Sequence, residues 1–305
     1  GGLGFHYKWD MGWMNDTLSY MQTDFPWRPG AHGKLTFSLM YAFNENFICP
    51  LSHDEVVHGK CSLITRQPGD QWRQFAGLRT LAFYQMTHPG AKLSFMGNEI
   101  GQYIEWRYYE SIQWFLAKEY EPHAKHQHFI AALNKLYLEQ PALWREAYEW
   151  QGFEWLSADD AEHSIISFVR RGDEGEELVV VINFDVNFRP SWRVPVPREG
   201  DYVELFNSDA EEFGGSGQLN GGTIQSRPED CDGLITDRKN VPLCVWSADC
   251  VPVLFHDPEA GIAAAVHSGW KGTVADMMGS AVRSMENMGA RAENIRAAIG
   301  PAISR

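Results

Sequence analysis

Asn46-Phe47-Ile48-Cys49-Pro50-Leu51-Ser52-His53-Asp54-Glu55 decides how the first half of this chain folds. An apolar run ends in four polar residues. Pro68-Gly69-Asp70 then opens a stretch in which Trp72, Phe75, Leu78, Leu81 and Ala82 recur at three- and four-residue spacing, and His88-Pro89-Gly90 closes it. The pattern is that of a buried strand, a polar loop and an amphipathic helix in succession. It then repeats: Lys92 to Met96 is the strand and Gly97-Asn98-Glu99 the loop, while Phe129, Ile130, Leu133, Leu136 and Tyr137 mark a helix face ahead of Pro141. Upstream, Phe5 to Trp9 reads as a strand and Trp13 to Met21 as a helix, with Asn15 and Asp16 favouring its first turns. Such alternation predicts a parallel α/β arrangement, in which chemistry gathers where strands end. Ser52-His53-Asp54-Glu55 and Gly97-Asn98-Glu99 occupy that position.

From about residue 150 the pattern changes. Ser164 to Arg171 and Glu177 to Phe184 are rich in β-formers around the turn Gly172-Asp173-Glu174-Gly175, and Trp192 to Val196 and Tyr202 to Phe206 continue the series. This predicts an antiparallel β domain, with a turn-like, Gly-rich stretch at 214–222. After about residue 226 come three strand-like runs, Val241 to Trp246, Val251 to Phe255 and Gly261 to Val266. A helix follows from Thr273 to Met288, with an apolar stripe of Val274, Met277, Met278, Ala281, Val282 and Met285 that reads as core, and Gly289 at its end.

Composition narrows the function. With 44% hydrophobic and 22% charged residues among 305, the chain is globular. A net charge of −14 argues against a nucleic-acid or anionic-membrane partner, since nothing would replace the counterions of a phosphate backbone. No apolar run approaches membrane-spanning length. The start, Gly1-Gly2-Leu3-Gly4, lacks both an initiator Met and the features of a secretion signal, so the chain is expected to be a fragment. The 12 Trp and 11 Tyr suit sugar rings and suit a core equally well. Five cysteines without a CxxC pair point to free thiols in a reducing cytoplasm.

Two constellations carry chemistry. A carboxylate beside an imidazole at a strand end, as in His53-Asp54, binds sugar hydroxyls and stabilises an oxocarbenium-like transition state; taken bare, the same dipeptide also reads as a loop or helix cap. Its surroundings are more specific. Gly1-Gly2-Leu3-Gly4-Phe5, Tyr7-Lys8-Trp9, Gly12 to Leu18, Leu51 to Lys60, Pro68-Gly69-Asp70, His88-Pro89-Gly90, Phe95 to Glu99, Gly152 to Leu156 and Phe168 to Arg171 follow in the order of one family. Residues 1–225 thus resemble the C-terminal part of bacterial 1,4-α-glucan (glycogen) branching enzymes, of glycoside hydrolase family 13. The resemblance implies cleavage of an α-1,4-glucan and transfer of the segment to a 6-hydroxyl, without a cofactor, in glycogen biosynthesis. It implies Asp54 as transition-state stabiliser, His53 and Glu55 as substrate-binding residues, and glycogen or amylose as the α-glucan partner. In that family the nucleophile and general acid lie upstream of the Gly-Gly-Leu-Gly segment, so this fragment is expected to be inactive alone.

The second constellation is Cys250 and His267. Thiolate and imidazole near each other suit zinc or copper, although two ligands do not complete a site, and a buried Cys with a hydrogen-bonded His is the plain alternative. Asp232 to Asp237, Ala248 to Val253, Val266 to Gly272 and Ile299 to Ile303 give residues 228–305 a resemblance to the laccase-domain family, whose members are described as multicopper polyphenol oxidases and purine nucleoside phosphorylases. That resemblance implies a metal-dependent enzyme with purine nucleosides as a partner class, and Cys250 and His267 as two of three metal ligands. The third, an upstream His, has no counterpart: no His lies between His163 and His256.

The expected architecture is therefore α/β plus β. Residues 1–145 would hold the C-terminal strands and helices of a (β/α)8 barrel, 146–226 a truncated all-β sandwich, and 227–305 a partial α+β laccase-like domain. Two lineages meet near Ser226-Arg227 without a Pro- or Ser-rich linker, which reads as a chimera of two fragments. Three functions stand open: a glucan-branching transferase by lineage, a metal-dependent nucleoside or phenol enzyme, and a non-catalytic glucan-binding remnant.

Overall fold

A computed structural model describes residues 4–226, 233–239, 242–245, 250–269, 273 and 276–300. Parts of several motifs fall outside these, among them Gly1 to Leu3, Asp232, Ala248-Asp249, Trp270 to Gly272 and Pro301 to Ile303, as does Cys231. The chain divides into two compact units, Gly1–Ser226 and Arg227–Arg305.

In the first unit, β1 (Lys8–Trp9), β2 (Phe47–Leu51) and β3 (Ala91–Ser94) form a parallel sheet in the order β1-β2-β3. Helices α1 (Met11–Gln22) and α2 (Gln71–Thr87) connect them, and α3 (Glu121–Glu139) follows. The helix starts obey local chemistry. Asp70 caps α2 by accepting the Arg73 N–H. Asp10, and not Asn15 or Asp16, caps α1 by accepting the Trp13 N–H, so that helix begins two residues earlier than its apolar pattern suggests. The upstream strand shrinks to Lys8–Trp9, because only those residues find partners on β2. Phe75, Leu78, Leu81 and Tyr84 of α2 are buried, each stabilising by about 1.5–3 kcal/mol relative to exposure.

Residues 146–226 hold the antiparallel sheet β4 (Phe153–Ser157), β5 (Ile165–Arg171), β6 (Glu177–Asn183) and a two-stranded ribbon, β7 (Asp201–Val203) with β8 (Thr223–Gln225). Trp192 to Val196 is irregular, a correction to the strand expected there: the run contains Pro195 and is flanked by Pro190 and Pro197, and proline supplies no N–H to a ladder. The expected sandwich is thus a three-stranded sheet and a ribbon among the described residues. Its inner face shares one core with the parallel sheet, in which Phe153, Ile166, Phe168, Val180, Ile182 and Phe184 pack with Trp13, Tyr20 and Tyr84. Phe184 sets its ring edge-on to Tyr20 at 5.4 Å and to Tyr84 at 5.8 Å.

Arg170 locks this junction. Its side chain is fully buried and donates to three backbone carbonyls, Gly152 at 3.0 Å, Thr87 at 2.7 Å and Leu143 at 3.2 Å. Burial lowers its pKa to about 10, still well above neutrality. Thr87 ends α2, Leu143 lies in the turn after α3, and Gly152 precedes β4. Gly152 must be glycine, since a Cβ there would stand 2.0 Å from the Glu146 carbonyl oxygen.

The second unit is an antiparallel sheet in the order β12-β10-β11-β9, from β9 (Gly233–Thr236), β10 (Val251–Asp257), β11 (Ile262–Ser268) and β12 (Arg296–Ile299). Helix α4 (Met277–Asn287) covers one face, with Ala281 and Met285 buried and Met277, Met278 and Val282 packed beside them, as the apolar stripe predicts. Pro242 to Val245 is irregular where a strand was expected; the ends of that run lie outside the described residues. Cys49, Cys61 and Cys244 are free thiols. No helix among the described residues is long and apolar enough to cross a membrane.

Replacing Arg170 with Ala leaves three carbonyls without donors and a void beneath β5, a loss on the order of 3–5 kcal/mol. Urea unfolding of the variant measures it; a loss under about 1 kcal/mol would contradict the locking role.

Candidate functional site

The register of the parallel sheet sets the rim. Leu51 pairs with Ser94, so β2 and β3 end side by side. The Leu51 carbonyl accepts the Phe95 N–H at 2.9 Å and the Asn98 side-chain amide at 3.3 Å, which draws the two strand-end loops together. Beyond Leu51, a one-turn 3-10 helix (His53–Glu55) starts with a capping box: the Ser52 hydroxyl accepts the Asp54 N–H, and the Glu55 carboxylate accepts the Ser52 N–H at 2.6 Å.

This turn sorts the three candidate residues. Glu55 is buried and held by the cap, with the Ser52 hydroxyl also donating to it at 2.7 Å. His53 and Asp54 face outward, their side chains 46% and 52% exposed, with His53 Nε2 3.2 Å from Asp54 Oδ1. The His53 ring stands against Phe95 at 5.7 Å and Trp106 at 6.2 Å. An imidazole and a carboxylate on an aromatic wall form a surface that can hold a hydroxyl-rich ring.

The other strand-end carboxylates each accept a backbone N–H. Asp10 follows β1 and is buried, taking the Trp13 N–H at 2.8 Å and the Tyr41 hydroxyl at 3.0 Å; burial raises its pKa. Glu99 accepts the Gly97 N–H at 2.6 Å. Of these four carboxylates Asp54 is exposed, Glu99 half-buried, and Asp10 and Glu55 buried. A cleft of about 400 Å³ borders this rim: Leu51, Phe95 and Glu99 line it together with Leu81, Ile130 and Leu133, and His53 and Asp54 are not part of its lining.

Sequence patterns did not single out Glu105 or Trp106. They lie in an irregular stretch without periodicity, and the sole signal was a Trp within it. In the structure, Glu105 accepts the N–H groups of Gly59 and Cys61, and Trp106 donates its N–H to the Val56 carbonyl.

In the second unit, Pro252 pairs with His267 across β10 and β11, which places Cys250 and His267 at the same end of the hairpin. A Cβ built on Gly269 would lie 3.4 Å from the Cys250 sulfur and 3.7 Å from His267 Cε1, so thiol and imidazole flank one glycine. No group of three His, Cys, Asp or Glu able to hold a metal occurs among the described residues. A zinc or copper site needs at least three protein ligands, and these two donors alone do not fit one.

Comparison with known proteins gives the lineage. The 1,4-alpha-glucan branching enzyme GlgB of Halothermothrix orenii is 52% identical over 226 residues, covering 74% of this chain and 36% of that protein. GlgB 2 of Clostridium perfringens is 50% identical over 231 residues, covering 75% and 35%. About three quarters of the chain is homologous to glycogen branching enzymes. This homologous part spans about a third of the length of those curated relatives. Residues 155–242 match the family described as alpha amylase, C-terminal all-beta domain, and residues 209–305 match multi-copper polyphenol oxidoreductase laccase. Pullulanase type I from Bacillus subtilis, solved with maltose, superposes with a TM-score of 0.51 at 15% identity, over 71% of this chain and 33% of that one, a likeness of fold alone.

Proposed function

We propose that the first unit is the strand-end rim of a 1,4-α-glucan branching transferase and that it binds α-glucan without branching it when it acts alone. The observation that carries this reading is the outward pair His53–Asp54 on the wall of Phe95 and Trp106, in a segment homologous to branching enzymes. Asp54 supplies a fixed negative charge beside the sugar carbon that becomes cationic at the transition state. His53 bonds a hydroxyl of the same ring, and the aromatic wall packs against its C–H face. Retaining transfer uses two carboxylates about 5–5.5 Å apart, one as nucleophile and one as acid. Asp10 and Glu55 are buried and Glu99 is half-buried, each bonded to a backbone N–H, so Asp54 is the exposed carboxylate of this rim. The partner is glycogen or amylose, and the setting is glycogen biosynthesis in the cytoplasm.

Calorimetry with maltoheptaose tests binding. His53→Ala and Asp54→Asn are each expected to weaken it about fivefold, the value of one hydrogen bond. Incubation of the 305-residue polypeptide with amylose should yield no new α-1,6 linkage. Unchanged affinity in both variants, or clear branched product, would contradict the reading.

A second reading concerns the second unit, and the neighbouring Cys250 and His267 favour it. It is a laccase-like domain of metal-dependent purine nucleoside phosphorylase or polyphenol oxidase lineage, in which this pair would supply two zinc or copper donors. With two donors, zinc should be lost on dialysis against a weak chelator. Metal analysis that finds close to one zinc per chain afterwards would overturn that expectation.

The division between Ser226 and Arg227 suits a chimera of two lineages. One sequencing read across the codons for both residues in the source DNA checks it. A continuous read makes the join real, and two separate genes would dissolve it.

A further inference from the structure

The loop at residues 56–61 borders His53 and Asp54, and its backbone is not one the chain adopts freely. Gly59 has φ +82° and Cys61, a non-glycine, has φ +67°. Such a conformation persists where surrounding groups over-determine it. Here the surrounding group is Glu105. One carboxylate oxygen accepts the Cys61 N–H at 2.8 Å, and the other accepts the Gly59 N–H at 3.0 Å. His58 Nδ1 lies 3.4 Å from the same carboxylate. The next residue, Trp106, donates its N–H to the Val56 carbonyl at 2.7 Å and sets its ring edge-on to Phe95 at 5.2 Å and to His53 at 6.2 Å. One dipeptide therefore ties down the loop and backs the imidazole.

We infer that Glu105 is a positioning residue of the glucan rim: by holding the Gly59 and Cys61 N–H groups it fixes the loop 56–61 and, through Trp106, the orientation of His53. The inference rests on the glucan-binding reading of His53 and Asp54. A carboxylate is the fitting group, since it offers two acceptor oxygens to two diverging N–H donors. A glutamine in its place keeps one acceptor and turns a donor toward an N–H.

The two backbone bonds, with a smaller contribution from His58, hold the Glu105 carboxyl below its ordinary value of 4.5. The charged and titratable groups facing it are His58, Cys61, Arg66 and Arg107. A depressed carboxyl pKa makes the clamp complete above pH 4.5 and lost as pH falls through the lower folded value.

The test uses the 305-residue protein and its Glu105→Gln and Glu105→Asp variants. In proton–nitrogen NMR spectra, the Gly59 and Cys61 amide protons should titrate together with a midpoint below 4.5, and Glu105→Gln should abolish that titration. Maltoheptaose affinity should fall about tenfold in Glu105→Gln and recover in part in Glu105→Asp, with thermal melting of the variants following the parent. If the parent binds maltoheptaose and Glu105→Gln binds it equally, Glu105 does not position the rim. If the parent shows no glucan affinity, the glucan reading itself fails, and absence of the shared amide titration would then overturn the clamp independently.

Discussion

A buried guanidinium holds the first unit together. Arg170 sits in the middle strand of the antiparallel sheet and reaches the end of α2, the turn after α3 and the residue before β4. A buried charge is costly unless its donors are satisfied, and three carbonyl oxygens from three separate segments satisfy this one. That requirement couples the α/β part to the β part. The shared core follows: Phe184 can pack on Tyr20 and Tyr84 because the sheet is held at that distance from α1 and α2. A chain cut between residues 145 and 146 would leave the guanidinium on one side and two of its acceptors, Thr87 and Leu143, on the other.

The rim inherits its geometry from this frame. With α2 fixed, β2 and β3 end level, and the Leu51 carbonyl joins their loops. The short 3-10 turn after Leu51 then decides which carboxylate is spent and which is free. Glu55, at the third position of the capping box, must turn back to the Ser52 N–H, and Asp54, one residue earlier, points outward. Two adjacent acidic residues thus take opposite roles through local backbone chemistry, before any ligand is considered. The aromatic wall of Phe95 and Trp106 comes from a different loop and closes the arrangement around His53.

Much of this was legible in the sequence. The helix of residues 71–87 announced itself through its apolar spacing and through Asp70, and the strands on either side through their apolar runs and polar ends. His53 and Asp54 could be placed at a strand end from the same pattern. The distinction between Asp54 and Glu55 could not, because it depends on a capping box inside a turn too short to show periodicity. Asp10 was missed as a helix cap for a similar reason, lying where a two-residue strand meets a helix with no loop between. Trp192 to Val196 misled through its β-forming residues, while Pro195 within it and Pro190 and Pro197 around it deny the ladder its donors. Glu105 left no trace, since its partners are backbone groups more than forty positions away. In the second unit, the Met-rich stripe of α4 was read correctly as core, and the hairpin does bring Cys250 and His267 to one end.

The rim at His53 and Asp54 is where α-glucan should contact this protein. Hydrogen–deuterium exchange of the 305-residue polypeptide with and without maltoheptaose tests it directly. Protection concentrated in peptides covering residues 51–61 and 95–107 is the predicted result. Protection confined to residues 146–226, or none at saturating maltoheptaose, would contradict the claim that the His53–Asp54 rim is the glucan site.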